Sequence, residues 1–123
     1  DIQRSRGLGD VYKRQQSDLG GINHACEMET SLMLHMQEDI VNKENIIDNP
    51  LTRSTYTGVD LLAGGTVGVS ASFKELSDHG VIGSPSLATK EKGADLFEII
   101  TNKICDFIED FSKWKKPLNG KNE

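Results

Sequence analysis

The sequence predicts an α/β fold of layered helices and short strands. Apolar residues recur at helical spacing in two segments, from Glu27 to about Asn42 and from Lys90 to before Pro117. A period of three to four residues is typical of helices that bury one face. The chain between them is rich in turns and glycine, with brief apolar alternations that favour loops and short strands. We therefore expect two long helices packed on a small sheet.

The first predicted helix begins with two carboxylates. Glu27 and Glu29 fall in its first turn, where unpaired backbone N–H groups and the helix dipole favour negative charge. For Met28 we favour a packing role over a substrate contact. The apolar positions expected to form core on this helix are Met28, Leu32, Met33, Leu34, Met36, Ile40 and Val41.

The second predicted helix has the strongest periodicity in the chain. Thr89 is a natural N-cap. Gly93 lowers helix propensity, which predicts close packing of that turn against another element. Lys113, Lys115 and Lys116 suit the negative C-terminal end of the helix. One broad apolar stripe runs along it, formed by Leu96, Phe97, Ile100, Ile104, Phe107, Ile108 and Phe111.

A long loop is predicted after the first helix. Residues 43–58 are polar and contain Asn49-Pro50, which is typical of turns. Such loops often line functional sites, so Arg53 or Tyr56 could contact a substrate. A solvated loop is the favoured interpretation.

The next segment, residues 61–70, is glycine-rich and predicts a loop followed by a short strand. Val67 and Val69 alternate and are expected to point inward. The segment lacks the lysine of a phosphate-binding loop, which makes a nucleotide-binding domain the least favoured function. Residues 73–83 are expected to form a second loop, with His79 solvated.

The composition is that of a soluble globular protein, with 36% hydrophobic residues, 27% charged residues and a net charge of −5. No apolar run approaches the roughly 18 residues needed to cross a bilayer, so no membrane span is predicted. The acidic balance argues against nucleic-acid binding. Cys26 and Cys105 lie in dissimilar contexts and predict reduced thiols in a cytoplasmic protein.

The most informative segment sets a histidine and two carboxylates at the mouth of the first helix. An imidazole that titrates near neutrality can accept and return a proton, and carboxylates bind cations. This combination indicates a hydrolytic metal site. The simpler alternative is that acidic residues are common in first helical turns. The segment reads Gly20-Gly21-Ile22-Asn23-His24-Ala25-Cys26-Glu27-Met28-Glu29-Thr30-Ser31-Leu32-Met33-Leu34.

Two blocks resemble motifs of the creatininase family of metal-dependent amidohydrolases. Residues 24–31 read H-A-C-E-M-E-T-S and resemble the family's H-A-G-x-x-E-T-S. Residues 80–93 read G-V-I-G-S-P-S-L-A-T-K-E-K-G and resemble its G-V-x-G-D-P-x-x-A-T-x-E-K-G. The order and spacing of the two blocks also match, which is far more specific than either block alone.

The resemblance implies the C-terminal part of a creatininase-like α/β/α layered sandwich, over residues 16–116. Family domains are usually more than twice as long, and their E-x-H pair, following Asp and N-G-H segment do not occur here. We therefore expect most ligands of the divalent metal ions, Zn or Mn, to lie upstream and this segment alone to be inactive. The resemblance also implies a small-molecule amide substrate and a homo-oligomeric full-length protein.

By the same resemblance, His24 is the general acid/base and Glu29 is a catalytic residue that lines or binds the metal site. Glu27 falls at a variable position and is at best a further donor. The chain departs from the family pattern at Cys26, where Gly is commonest, and at Ser84, where Asp is commonest. The first departure could tighten the turn after His24, and the second removes a carboxylate.

The two ends of the chain are predicted to lie outside the domain. Residues 1–15 contain D-V-Y-K-R-Q, which reads like the in-frame translation of a sequencing adapter. A natural basic arm is the less favoured alternative. Residues 117–123 are expected to fray.

The predicted function is hydrolysis of a cyclic amide or related C–N bond in a small molecule. In the alternative, the chain is a non-catalytic binding or assembly module. His24 and Glu29 would then be structural, and the apolar helix stripe would pack against a partner subunit.

Overall fold

The computed structural model describes residues 16–18, 21–51, 56–57 and 65–114. The described residues confirm the mixed α/β class, while the layered sandwich stays a prediction. They form strand β1 (Ile22–His24), helix α1 (Glu27–Met36), helix α2 (Phe73–Leu76), strand β2 (Ile82–Gly83) and helix α3 (Lys90–Ser112), with 3-10 turns at Glu38–Ile40, Lys43–Asn45 and Pro85–Leu87.

Several predictions concern residues outside the described ranges. They are the adapter-derived tail at 1–15, the possible substrate contact of Arg53, the first part of the glycine-rich segment at 61–64, and the last lysines and frayed end at 115–123. No helix in the described ranges is long and apolar enough to span a bilayer.

Helix α3 confirms the second predicted helix. The Thr89 hydroxyl accepts the backbone N–H of Lys92 at 3.2 Å, and the helix continues for 23 residues. Leu96 is buried in the core. Most of the stripe beyond it is about half-exposed, because other described residues do not cover it: Phe97, Ile104, Phe107, Ile108 and Phe111.

Helices α1 and α3 pack most closely where Gly93 meets Ser31. A Cβ atom at Gly93 would lie 1.9 Å from the Ser31 carbonyl oxygen, so only glycine permits this approach. The buried Ser31 hydroxyl donates to the Glu27 carbonyl at 2.6 Å and accepts the Thr89 N–H at 3.2 Å. The close packing predicted at Gly93 is confirmed.

Helix α1 is shorter than predicted, since the expected helix continued to about residue 42. Gln37 leaves the helical region with φ −151° and ψ 68°, and the 3-10 turn Glu38–Ile40 follows. Glu38 pairs with Lys43 at 2.5 Å and with Lys90 at 2.9 Å. The pair with Lys90 joins the 3-10 turn to the first residue of α3. Periodicity alone could not reveal this break, because two apolar residues beyond it keep the helical spacing.

Strands β1 and β2 form a short antiparallel pair. Ile22 lies opposite Gly83 and His24 opposite Ile82, with an irregular register between them. Both isoleucines are buried. Asn49 adds a bridge, because its N–H donates to the Gly83 carbonyl at 2.8 Å and its carbonyl accepts the Gly83 N–H at 2.9 Å. The sheet therefore fixes the end of β1 where His24 lies.

The inward alternation predicted at Val67 and Val69 is wrong. Their exposed fractions are 52% and 55%. Val67 makes one isolated parallel bridge with Thr57, through its N–H and the Tyr56 carbonyl at 2.9 Å. Two valines separated by glycine offer too little apolar surface to hold a strand against a core. Helix α2 and strand β2 instead form further along, where the sequence predicted a loop.

Candidate active site

The predicted site lies on the tight turn that joins β1 to α1. His24 ends the strand, Ala25 has a φ of +48°, and Cys26 is the N-cap of the helix. A positive φ is uncommon for a residue with a side chain, and here it reverses the chain between strand and helix. The turn brings His24 next to the first turn of α1.

The Glu29 carboxylate closes this turn. Glu29 lies in the first turn of α1, as predicted, and its Oε2 accepts the backbone N–H of Ala25. A carboxylate that accepts a backbone N–H makes a charge-assisted hydrogen bond, which is stronger than a neutral one. Glu29 therefore fixes the backbone beside His24. Within the described residues, its Oε1 has no hydrogen-bond partner.

The His24 side chain is exposed and packs against α2. Its ring meets the ring of Phe73 edge-on, with centroids 4.9 Å apart and an interplanar angle of 70°. The His24 ring nitrogens make no hydrogen bond to another residue of the described ranges. Both nitrogens are thus open to a small molecule.

Glu27 holds the helix start in place and is not a further metal donor. Its side chain is 1% exposed, and Oε1 pairs with the Lys92 Nζ atom at 2.6 Å. The backbone N–H of Gln16 donates to both carboxylate oxygens at 2.9 and 3.0 Å, and that of Ser17 donates to Oε2 at 2.7 Å. Every oxygen of Glu27 is therefore already committed.

Two opposing effects act on the pKa of Glu27. Burial raises the pKa, since it penalises the charged form, but the hydrogen bonds from Lys92, Gln16 and Ser17 outweigh burial and hold the pKa below its usual value. Lys92 also donates to the Leu87 carbonyl at 2.6 Å. The sequence did not predict this pair. The only local signal was the lysine one position before the tightly packed Gly93.

A mostly apolar cavity of about 250 Å³ opens beside Glu29. Glu29 is the charged residue in its wall, and His24 does not line it. Ile40 and Val41 reach the wall because α1 ends early and the 3-10 turn folds back. The lining residues are Ala25, Glu29, Thr30, Met33, Ile40 and Val41.

Comparison with protein families decides the relationship that the two motifs suggested. The family model described as Creatininase: Creatinine amidohydrolase matches residues 5–108. The chain belongs to the creatininase family. Comparisons with curated proteins and with solved structures gave no match.

Creatininase-family enzymes are generally metal-dependent. A catalytic zinc takes about three protein ligands. Within the described ranges, no group of three His, Cys, Asp or Glu side chains could hold a metal ion. His24 and Glu29 are the two candidates at the turn, while Glu27 is occupied by Lys92. These residues do not by themselves fit a metal centre.

Cys26 replaces the glycine commonest in the creatininase motif, and the sheet accommodates it. Its side chain is fully buried against Gly83, where an added Cβ would lie 2.6 Å from the Cys26 Cβ. Gly83 also has a φ of +146°, which a side chain would strain. Cys26 and Cys105 are both free thiols, as predicted.

Ser84 replaces the aspartate commonest in the second motif, and its side chain caps nothing in the 3-10 turn that follows. A carboxylate from another part of the chain binds this turn instead. Asp48 accepts the Ser86 N–H at 2.9 Å and the Ser86 hydroxyl at 2.5 Å. The turn therefore keeps a carboxylate partner despite the substitution.

Proposed function

We propose that this protein hydrolyses a cyclic amide or a related C–N bond in a small molecule. Membership of the creatininase family supports amidohydrolase-like chemistry. The observation that carries the proposal is an exposed imidazole, His24, on a turn that the Glu29 carboxylate holds through the Ala25 N–H. Neither side chain is fully buried: His24 is exposed and Glu29 is half-buried.

We assign His24 the role of general acid/base. In amide hydrolysis the oxygen of water joins the carbonyl carbon, the C–N bond breaks, and the leaving nitrogen gains a proton. An imidazole suits this proton transfer because its charge changes near neutral pH. The open ring nitrogens of His24 support the assignment.

We propose two roles for Glu29. The hydrogen bond from Ala25 supports a positioning role, because it fixes the backbone next to His24. Its Oε1, without a hydrogen bond in the described ranges, supports a place at the edge of a metal site. We propose Zn or Mn as the metal of the whole protein, with the remaining ligands supplied by residues outside the described ranges.

We also propose that the full-length protein forms homo-oligomers through the exposed face of α3. Three aromatic and two isoleucine side chains, each about half-exposed, offer about 400–500 Å² per copy. Two copies would bury about 900 Å², close to the roughly 1,000 Å² of a small specific interface. The five side chains are Ile104, Phe107, Ile108, Phe111 and Trp114, exposed by 47–57%.

The unpaired thiols of Cys26 and Cys105 support a proposed cytoplasmic location.

The test of the catalytic proposal is His24→Ala in the full-length protein. Metal content and turnover of creatinine and a panel of small cyclic amides are measured side by side. We expect kcat to fall by about two to four orders of magnitude, the usual contribution of a general acid/base, with metal content unchanged. His79→Ala is the matched control, since His79 is exposed and its side chain hydrogen-bonds to Ser77.

Equal turnover by wild type and His24→Ala would remove His24 from the mechanism. A wild-type protein without metal and without turnover of any amide in the panel would favour the alternative of a binding or assembly module.

A further inference from the structure

Within the part of the chain that the structure describes, the His24 ring has no hydrogen-bonded partner of the kind that usually orients a catalytic histidine. General bases are commonly held by a third group that fixes the ring. In the described ranges, no side chain hydrogen-bonds to this ring. The ring of Phe73 occupies the place of such a partner, at 4.9 Å and nearly perpendicular. Edge-to-face aromatic contacts favour this separation and angle.

Phe73 is itself held by the helix that carries it. Helix α2 begins with a capping box in which Ser72 and Glu75 bond reciprocally, with the Ser72 N–H donating to Glu75 Oε2 at 2.7 Å. The Asn49 side chain then ties the end of this helix to β2. Its Nδ2 donates to the Leu76 carbonyl at 3.2 Å and to the Val81 carbonyl at 2.8 Å.

These contacts form a continuous support for the imidazole. Strand β2 pairs with β1, whose last residue is His24, and also with Asn49. Asn49 holds α2, and α2 presents Phe73 to the His24 ring. Contacts that lead back to the same sheet therefore hold both the backbone and the ring of His24.

We propose that Phe73 is a positioning residue for His24, held in place by Asn49. The inference rests on the proposed role of His24 as general acid/base. Phe73 orients the imidazole through its ring and leaves both ring nitrogens open to a substrate. Losing the aromatic edge would let the imidazole sample orientations that do not reach the leaving nitrogen, which lowers kcat more than it changes KM.

The test compares Phe73→Leu and Phe73→Tyr with wild type and His24→Ala in the full-length protein, using the panel amide that wild type cleaves fastest. Leucine removes the aromatic ring and tyrosine keeps it. We expect Phe73→Leu to lower kcat about three- to tenfold with KM within about twofold, and Phe73→Tyr to restore kcat. Phe97→Leu is the matched control, because Phe97 is similarly exposed and contacts a different histidine, His35, at 5.5 Å.

A second measurement does not depend on turnover. In the wild-type 123-residue chain, the aromatic ring of Phe73 should shift the NMR resonances of the His24 imidazole. The Phe73→Leu substitution should move them, and Phe97→Leu should not. Unmoved His24 resonances in Phe73→Leu would overturn the proposed contact.

The kinetic outcomes separate this inference from the proposed function. Loss of activity in His24→Ala with wild-type kcat in Phe73→Leu would overturn the positioning role alone. A raised KM with unchanged kcat in Phe73→Leu would also overturn it, because Phe73 would then contact substrate only. Full activity in His24→Ala would overturn both proposals.

Discussion

At the scale of single residues, two glutamates of one helical turn have opposite environments. Glu27 is buried and binds Lys92 together with two backbone N–H groups. Glu29, two residues later, is half-buried and binds one backbone N–H at the turn. Both were predicted in the first turn of a helix. Their neighbours in space engage both oxygens of Glu27, whereas one oxygen of Glu29 accepts no hydrogen bond from the described residues.

Glu29→Gln tests the role of that second carboxylate in the full-length protein. The amide can still accept the Ala25 N–H but carries no charge, so we expect lower metal occupancy or lower turnover with the turn preserved. Metal analysis and kcat are measured on the same preparation. Unchanged metal content together with an unchanged rate would leave Glu29 as a helix-start carboxylate only.

Glu27→Gln tests the buried pair. Removing the negative charge leaves the largely buried Lys92 ammonium without a charged partner. Breaking such a pair typically costs about 3 kcal/mol of unfolding free energy. Urea unfolding of the 123-residue chain measures the loss. Glu38→Gln is the control, since Glu38 pairs with two exposed lysines and should change stability much less. The double variant Glu27→Gln, Lys92→Met should recover part of the loss, and no recovery would contradict the pairing.

The same pair predicts an acid dependence of stability. The pKa of Glu27 is lower in the folded chain than its ordinary value of 4.5, so the folded state binds the proton less well than the unfolded state. Its stabilising contribution is therefore full above about pH 4.5 and is lost as the pH falls through the lower folded pKa. Urea midpoints recorded below pH 5 should decline more steeply for wild type than for Glu27→Gln. Parallel curves would argue against this linkage.

At the scale of elements, the two long helices were predictable from the sequence, but the residue at which α1 ends was not. Helix α3 was visible because its cap and stripe are both local properties of the sequence. The early end of α1 depends on ion pairs of Glu38, one of them with Lys90. Helix α2 and strand β2 are too short for periodicity to reveal them, and each is held by Asn49 through hydrogen bonds.

Gly93→Ala tests the contact between α1 and α3. The added methyl group would meet the backbone of Ser31, which cannot rotate away as a side chain can. The helices must separate, and overpacking of this kind costs about 1–3 kcal/mol. Gly68→Ala is the matched control, because an added Cβ there meets nothing within 4 Å. Equal urea midpoints for the two variants would contradict the close approach.

Asn49→Ala tests the anchor of α2. The substitution removes the two side-chain hydrogen bonds to Leu76 and Val81 but keeps the backbone bridge to Gly83. We expect faster hydrogen exchange at the Ser77 N–H, which closes α2, and unchanged exchange within α3. Uniformly faster exchange would show global destabilisation in place of a released helix.

At the scale of the whole molecule, the described residues form a small core with one long helix extending past it. Leu96 is buried, whereas every residue of α3 from Thr101 to Ser112 is exposed. The pattern of an amphipathic helix predicts a buried face but cannot say what buries it. The proposed occupant is a second copy of the protein.

Phe107→Ser in the full-length protein tests this proposal. The loss of an aromatic anchor from a small interface should shift the protein toward smaller species in sedimentation velocity. Asn102→Ser is the control on the same exposed segment of α3. An unchanged oligomer distribution in Phe107→Ser would exclude this face as the interface.

The sequence by itself determined the family, the two main helices, the cap at Thr89, the close packing at Gly93 and the place of His24 and Glu29 at a helix start. The helices and the cap depend on residues near one another in the chain, the family on two short motifs, and the packing at Gly93 on the absence of a side chain at that position. Only the tertiary structure decided that Lys92 neutralises Glu27, that Phe73 meets His24, and that Asp48 binds the turn after Ser84. Each of these contacts joins residues far apart in the chain, and no local period or propensity specifies which distant partner a side chain will meet.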